Sequence, residues 1–404
     1  MTSVLYISYT GLLDPLGQSQ VLQYVLALSR RGHRMTVLSF EKPDALNDEV
    51  RVAAMQAQCA AAGVDWRPRV WHNKPIGILA TLYDLASGCR HGTKIAREVG
   101  VQVIHCRSYI AGLMGLRIKR ATGAKFVFDM RGFWPDERVD GGIWTASSLI
   151  YKVFKRVERL LLLQSDHVIS LTKAGVREYE SFPYLENQKP KSTVIPTCTN
   201  LDLFQVQDAP DDGFTLGYVG SVGSWYLFSD VAKVVARAFE IRSDIRFLVV
   251  TKGSHDLVRS TLRDAGVDLD RVELRSVNFS EMGGQIARMD AGVFFIKPAW
   301  SKRASCPTRM GEFLACGKPM LTNDGVGDVA EDLDQTGTGI ALPAVGLTGV
   351  DFTDLDTALA QLFDMTTDPE MVARCRTAAE TRFSLEAGVQ AYSNVYDQLA
   401  SDRA

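Results

Sequence analysis

Five features are missing from this sequence, and each absence removes a class of protein. There is no Cys-x-x-Cys pair among the seven cysteines, Cys59, Cys89, Cys106, Cys198, Cys306, Cys316 and Cys375. That argues against a zinc site or a disulfide framework and for reduced thiols, most of them small core residues, in a cytoplasmic protein. There is no basic excess: the formal net charge is −2. A domain built to hold a nucleic-acid backbone usually carries one, so no nucleic-acid partner is expected. No apolar run approaches the ~20 residues of a membrane span. Met1-Thr2-Ser3 runs directly into an apolar strand without the basic region of a secretory leader. Finally, no Gly-x-Gly-x-x-Gly fingerprint follows a strand, which leaves a nicotinamide dehydrogenase without its phosphate turn.

What remains is a globular composition, 46% hydrophobic and 23% charged, in 404 residues. That length implies two or three domains. Val4 to Ile7 reads as a strand, and Gln18 to Arg31 as a helix with apolar residues at three- and four-residue spacing. Further strands are expected at 35–40, 101–105, 126–130, 167–171 and 193–195. The alternation pauses over 196–213, a Pro- and Asp-containing linker, and then restarts with strands at 215–219, 247–250, 272–274, 292–296 and 319–322. Helices are expected at 228–241 and 308–316, and three helical segments close the chain. Strand–helix alternation implies parallel sheets. The pattern is therefore α/β, two doubly wound halves, with ligands expected in a cleft outside the carboxyl ends of the strands.

Five segments at such strand ends carry candidate chemistry. The loop Tyr9 to Gln20 holds Gly11 and Gly17 ahead of a helix, an arrangement that lets backbone N–H groups approach an anion. Val103-Ile104-His105-Cys106-Arg107 puts a proton acceptor and a phosphate- or carboxylate-binding cation at one strand end. The loop from Phe128 to Arg138 gathers Arg131, Asp136 and Glu137 with aromatic side chains, a mixture suited to sugar faces and hydroxyl edges. Gly217 to Tyr226 is a strand followed by a glycine turn, with Gly220 and Gly223. The fifth segment is the most informative. A strand ends in a basic loop with Lys297, Lys302 and Arg303, and Pro307 and Thr308 open a helix whose first-turn amides lack intrahelical partners. Cations beside free amides suit a diphosphate, and Glu312, one turn further on, is placed to bond a ribose diol.

Three Asp-x-Asp triplets, at 268–270, 332–334 and 354–356, fit a metal signature. They recur near element ends, where helix capping is the expected role, so no metal or other cofactor is expected. The stretch from Tyr151 to Leu163 is basic and then Leu-rich. It reads as an amphipathic helix packed on the sheet, with a helix resting on anionic lipid left open.

Pro307-Thr308-Arg309-Met310-Gly311-Glu312-Phe313-Leu314-Ala315-Cys316-Gly317-Lys318-Pro319 resembles the donor-site motif of the family-4 retaining glycosyltransferases. Arg30-Arg31-Gly32-His33, Val194-Ile195-Pro196 and the tail Arg382-Phe383-Ser384 fit the same family. The resemblance implies the GT-B fold: two Rossmann-like domains, residues 1–200 on the acceptor side and 201–383 on the donor side, facing a central cleft. Residues 384–404 would form a helix returning to the first domain. It implies a nucleotide-sugar donor, UDP favoured, held by Gly17, Gly220, Lys297, Arg303, Pro307, Thr308 and Glu312. His105, Arg107 and Lys302 are the catalytic candidates. Arg131, Asp136 and Glu137 would bind a glycan, lipid-linked or small-molecule acceptor, with bacterial polysaccharide assembly the favoured setting and peripheral membrane contact left open. Two departures stand out. Ala304 occupies the place of a family glutamate, and the turn after Gly220 lacks the family's Arg and Lys. Lys297, Lys302 or Arg303 would then supply the missing cations. A nucleotide-sugar epimerase and a non-catalytic donor-binding subunit remain as alternatives.

Overall fold

The structure is a computed structural model, and it describes residues 1–74, 77–207, 213–223, 225–345 and 349–402. The chain divides into two units: Met1–Ile195 with Gly388–Ala404, and Pro196–Ala387. Part of the expected linker, residues 208–212, lies outside the described residues.

In the first unit, β1 (Ser3–Ser8), β2 (Arg34–Glu41), β3 (Asp65–Val70), β4 (Val103–Arg107), β5 (Lys125–Asp129), β6 (His167–Ser170) and β7 (Ser192–Val194) form a seven-stranded sheet. Its order is β3-β2-β1-β4-β5-β6-β7, and every pairing is parallel. In the second unit, β8 (Phe214–Val219), β9 (Ile245–Val250), β10 (Val272–Arg275), β11 (Ala291–Val293), β12 (Met320–Asn323) and β13 (Gly339–Leu342) follow the same scheme, β10-β9-β8-β11-β12-β13. Both sheets are thus doubly wound, with the strand order reversing between β1 and β4 and between β8 and β11. Ligands of such sheets bind beyond the strand ends at that reversal.

Central strands are buried on both faces and read as continuous apolar runs. Residues Val4 to Ile7 of β1 and Phe247 to Val250 of β9 show 2% exposure or less. The edge strand β3 is different. It reads Asp-Trp-Arg-Pro-Arg-Val, is mostly half-buried or exposed, and carries Pro68, which only an edge strand tolerates. The first helical stretch begins earlier than its apolar spacing implies. Asp14 accepts from the Leu16 amide at 3.2 Å and Pro15 opens the first turn, so the helix starts at Pro15 and continues through a widened turn over Gln18–Leu22.

The helix Leu385–Ser401 ends the chain, and from Gly388 onward it belongs to the first unit. Tyr392, Val395, Tyr396 and Leu399 are buried there. The helix Leu149–Gln164 buries Glu158, Leu161 and Leu162, and a side chain on Gly112 would meet Leu161 at 3.0 Å. Its outer side leaves Leu149 and Val153 exposed among Lys152, Arg156 and Arg159. Among the described residues no helix is long and apolar enough to cross a membrane. All seven cysteines are free, and five are buried.

Candidate functional site

In the second unit the two motifs expected to act together do meet. The glycine turn follows β8 and the basic loop follows β11, the two strands flanking the order reversal. The Lys297 amide donates to the Trp225 carbonyl at 2.9 Å, and the Leu227 amide to the Phe295 carbonyl at 3.0 Å. The cations then stack on the turn's aromatic rings. Lys302 Nζ lies 3.9 Å from the Trp225 ring centre and Lys297 Nζ 5.8 Å from it. Lys302 is buried in the short helical turn Trp300–Ala304, whereas Arg303 is exposed. Ala304, at the place of the family glutamate, is also buried in that turn. Ser224 lies outside the described residues.

Arg309 is the residue that sequence reasoning passed over. Its guanidinium is buried among Tyr218, Tyr226 and Phe294, at 5.0, 4.2 and 5.3 Å from the ring centres. It lies directly under the glycine turn: a Cβ on Gly220 would sit 2.3 Å from its Nη2. Gly220 also has φ +112°, a conformation that favours glycine. The cation missing from the turn's own sequence therefore reaches it from the next motif. A signal was present, since Arg309 lies inside the motif Pro307 to Pro319, but the motif alone does not tell which way the side chain turns.

Helix Thr308–Ala315 starts from Pro307 without a side-chain cap. Glu312 lies in its second turn, 7% exposed. Among the described residues no hydrogen bond or ion pair reaches its carboxylate. Burial pushes the carboxyl up to about 7 despite the opposing field of Arg309. A buried carboxylate with unused acceptor capacity beside uncapped amides is a recognition site for hydroxyls and anions.

The first unit has its own cluster at the ends of β1, β2, β4 and β5. Glu41, fully buried, accepts from the amides of Leu12 at 2.7 Å and Leu13 at 3.0 Å, and so fixes the glycine loop. Gly17 is buried against that loop, where a Cβ would lie 1.8 Å from the Gly11 carbonyl oxygen. The loop's own packing thus already requires glycine at Gly17. A crevice of about 520 Å³ opens beside it, lined by Tyr9, Thr10, Leu13, Lys42, Arg51 and Trp71 among others.

His105 differs from its expected place as a substrate-contacting residue. It is fully buried, with Nδ1 bonded to the Tyr396 hydroxyl at 2.6 Å and Nε2 to Asp129 Oδ2 at 3.4 Å. Burial lowers its pKa, with Asp129 partly offsetting, and the Tyr6 ring stacks on it at 4.2 Å. Both nitrogens are used inside the fold, so His105 supports its neighbours rather than meeting a ligand. The physical reason is that the C-terminal helix, through Tyr392 and Tyr396, covers this strand.

Arg107 and Arg131 do come together. Both donate to Gln20 Oε1, at 2.5 and 2.9 Å. Gln20, at the end of the candidate loop Tyr9 to Gln20, is a second residue to which sequence reasoning assigned no role. Asp136 is set apart from them in its contacts. It is 9% exposed and accepts from Tyr151 at 2.8 Å and Lys155 at 2.9 Å, which anchors the helix Leu149–Gln164. Buried, and with each carboxylate oxygen already accepting from that helix, Asp136 differs from its expected place as an acceptor contact and serves the packing of the helix. Glu137 is half-buried beside it.

The Asp-x-Asp triplets serve the fold. Asp268 caps a short turn through the Asp270 amide at 3.1 Å, as expected, while Asp356 pairs with Arg237 at 2.6 Å and Asp332 with Arg382. Among the described residues no three His, Cys, Asp or Glu side chains gather where they could hold a metal ion.

Comparison with known proteins agrees with this layout. Residues 17–196, a little under half of the chain, match the family model described as a glycosyl transferase 4-like domain. Among curated protein sequences none matches. Among solved structures, a sucrose-phosphate synthase from Thermosynechococcus elongatus is similar at TM-score 0.69 and 16% identity, covering 100% of both chains. A glycosyltransferase from Rickettsia africae is similar at 0.69 and 14%, covering 98% of each. The HepE protein of Anabaena in complex with UDP-glucose is similar at 0.67 and 13%, covering 98% of this chain and 100% of that one. At such identities these three speak for the fold. Residues 17–196 are thus similar to a glycosyl transferase 4-like domain, and the two parallel sheets give the whole chain the GT-B fold of these solved structures.

Proposed function

We propose that this glycosyltransferase is a retaining, metal-independent enzyme that moves a hexose from a UDP-sugar to a glycan, lipid-linked or small-molecule acceptor in polysaccharide or glycoconjugate assembly. The observation that carries the reading is the convergence, in the second unit, of the Gly220 turn, the Lys297–Arg303 loop, the uncapped start of helix Thr308–Ala315 and the buried Glu312. The amides near Thr308 and the cations Lys297, Lys302 and Arg303 bind the diphosphate, and Glu312 accepts from the ribose hydroxyls. That HepE was solved with UDP-glucose supports uracil as the base.

The chemistry follows from the leaving group. As the anomeric C–O bond breaks, negative charge grows on the diphosphate. Lysine and arginine side chains and fixed amides that tighten on that charge lower the barrier. The acceptor hydroxyl attacks from the same face, forming the new glycosidic C–O bond, and its proton passes to the departing phosphate oxygen. No side chain is required as a nucleophile, and the cations take the place of a metal ion. Arg107 acts at the transferred sugar or acceptor, held in place by Gln20, while His105 acts through Asp129 as a positioning residue. The outward face of helix Leu149–Gln164, with Leu149 and Val153 among three cations, supports contact with an anionic lipid surface.

The test is acceptor-dependent release of UDP from UDP-sugars, with and without EDTA, and assignment of the product's anomeric configuration by NMR. Retention without a metal requirement is expected. Inversion of configuration, loss of turnover on chelation, or release of a new sugar epimer without an acceptor would each contradict the proposal.

A further inference from the structure

The first unit concentrates positive charge at the ends of β4 and β5. Arg107 and Arg131 share one neutral acceptor, Gln20 Oε1. Asp129 Oδ2 lies 3.9 Å from Arg131 Nη1, and both the Arg131 and Asp129 side chains are more than nine-tenths buried. Arg107 is 8% exposed and, among the described residues, has no carboxylate within 4 Å. The Nε atoms of both arginines are buried without a hydrogen-bond partner.

The charges do not balance. Burial keeps His105 neutral, so one carboxylate, Asp129, faces two guanidinium ions. Burial, and then the like charge of Arg131, pulls the Arg107 pKa below its usual range. Buried charge is retained in a fold when a partner compensates it. The backbone marks the same place. Ser108 and Arg131 are the non-glycine residues with positive φ among the described residues, at +69° and +60°, one at each strand end. Such strain collects at ligand sites. An unused Nε–H beside a terminal N–H is the side-on fork with which arginine grips a phosphate or carboxylate in two bonds.

We propose that Arg107, Arg131 and Gln20 form an anion clamp, and that the acceptor of this glycosyltransferase carries a phosphate or carboxylate group that closes it. This rests on the first unit being the acceptor side. The two guanidinium ions would then position the acceptor's attacking hydroxyl by its charged neighbour, and neutral analogues of the acceptor would react poorly.

The test is thermal unfolding of the full chain titrated with inorganic phosphate, with glucuronate, and with glucose as the neutral control. A saturable rise in Tm is expected with phosphate or glucuronate and none with glucose. Which anion acts tells a phosphate-bearing acceptor from an acidic sugar. Arg107→Gln should weaken the apparent affinity at least tenfold without lowering the ligand-free Tm, because it removes a like-charge repulsion. Should that variant fail to fold, Arg107→Lys keeps the charge but loses the fork, and is expected to bind the anion more weakly. Phosphate could also meet the cations of the second unit, so the titration is repeated in Lys302→Gln/Arg303→Gln. A rise that survives there and is lost in Arg107→Gln supports the clamp. A rise lost only with the Lys302/Arg303 pair overturns the clamp and leaves the donor site standing. No response to either anion, or equal affinity in Arg107→Lys, also overturns it.

Discussion

Replacing Glu312 by Gln should remove most donor affinity and, at the same time, stabilise the free protein at alkaline pH. The carboxyl holds its proton up to about pH 7 in the fold, against an ordinary value of 4.5. The folded state therefore binds the proton more tightly than the unfolded state does. Ionising the group inside the fold costs free energy that grows as pH rises from about 4.5 to about 7 and is constant above that. By linkage this cost approaches about 3 kcal/mol at pH 8. Glutamine does not ionise, so Glu312→Gln and the wild type should unfold alike near pH 4.5. The variant should become progressively more stable toward pH 8, by several degrees of Tm. Donor binding should move the other way. Ribose hydroxyls donate to the ionised carboxylate, and losing charge-assisted hydrogen bonds of this kind costs about 1.5–3 kcal/mol each, roughly ten- to a hundredfold in affinity. The wild-type affinity for UDP should itself weaken as pH falls below about 7. Thermal melts from pH 4.5 to 8 with and without UDP check both halves. A flat stability difference across that range would mean that burial does not act on this carboxyl as described.

Neutralising Lys302 and Arg303 together should abolish turnover. These cations belong to the loop that follows β11, and Lys302 is held in place by the Trp225 ring. Removing a single preorganised donor from a developing anion typically slows catalysis by ~10²–10³. Two cations serving one leaving group should cost more than one. The loss should fall mainly on kcat, because the charge they meet is largest in the transition state. The cost in stability should fall on Lys302, since Arg303 is exposed while the buried Lys302–Trp225 cation–π contact contributes about 2 kcal/mol. Near-normal turnover in the Lys302→Gln/Arg303→Gln variant would remove these residues from the mechanism. Lys297 at the Trp225 ring and Arg309 beneath Gly220 would then be left to meet the diphosphate.

Much of the fold was legible because central parallel strands and their helices obey simple periodicities. Helix Phe228–Ile241 has the bounds its apolar spacing implies, and the strands from β4 to β12 lie within a few residues of their expected places. The strands that escaped notice were edge strands. Asp65–Val70 is charged and contains a proline, and Gly339–Leu342 is short and half-buried, so neither shows the apolar run that identifies a central strand. The candidate site divides in the same way. Strand-end placement pointed to Arg107, Lys302 and Glu312, since topology alone puts such positions near ligands. It could not tell that the C-terminal helix would close over His105, because Tyr396 is 291 residues away in the chain. Nor could it pair Arg309 with Gly220, or Gln20 with two arginines. Contacts of that kind are decided by how the sheets fold, and no local spacing encodes them.

Calorimetric titration with UDP, GDP and ADP tests the nucleoside-diphosphate site of the second unit most directly. The titration should be run with EDTA present, on the wild type and on Glu312→Ala. Saturable binding of UDP, unaffected by the chelator and weakened at least tenfold in the variant, is the expected result. If no nucleotide binds, or if UDP binds equally well without Glu312, the site described here does not hold the donor.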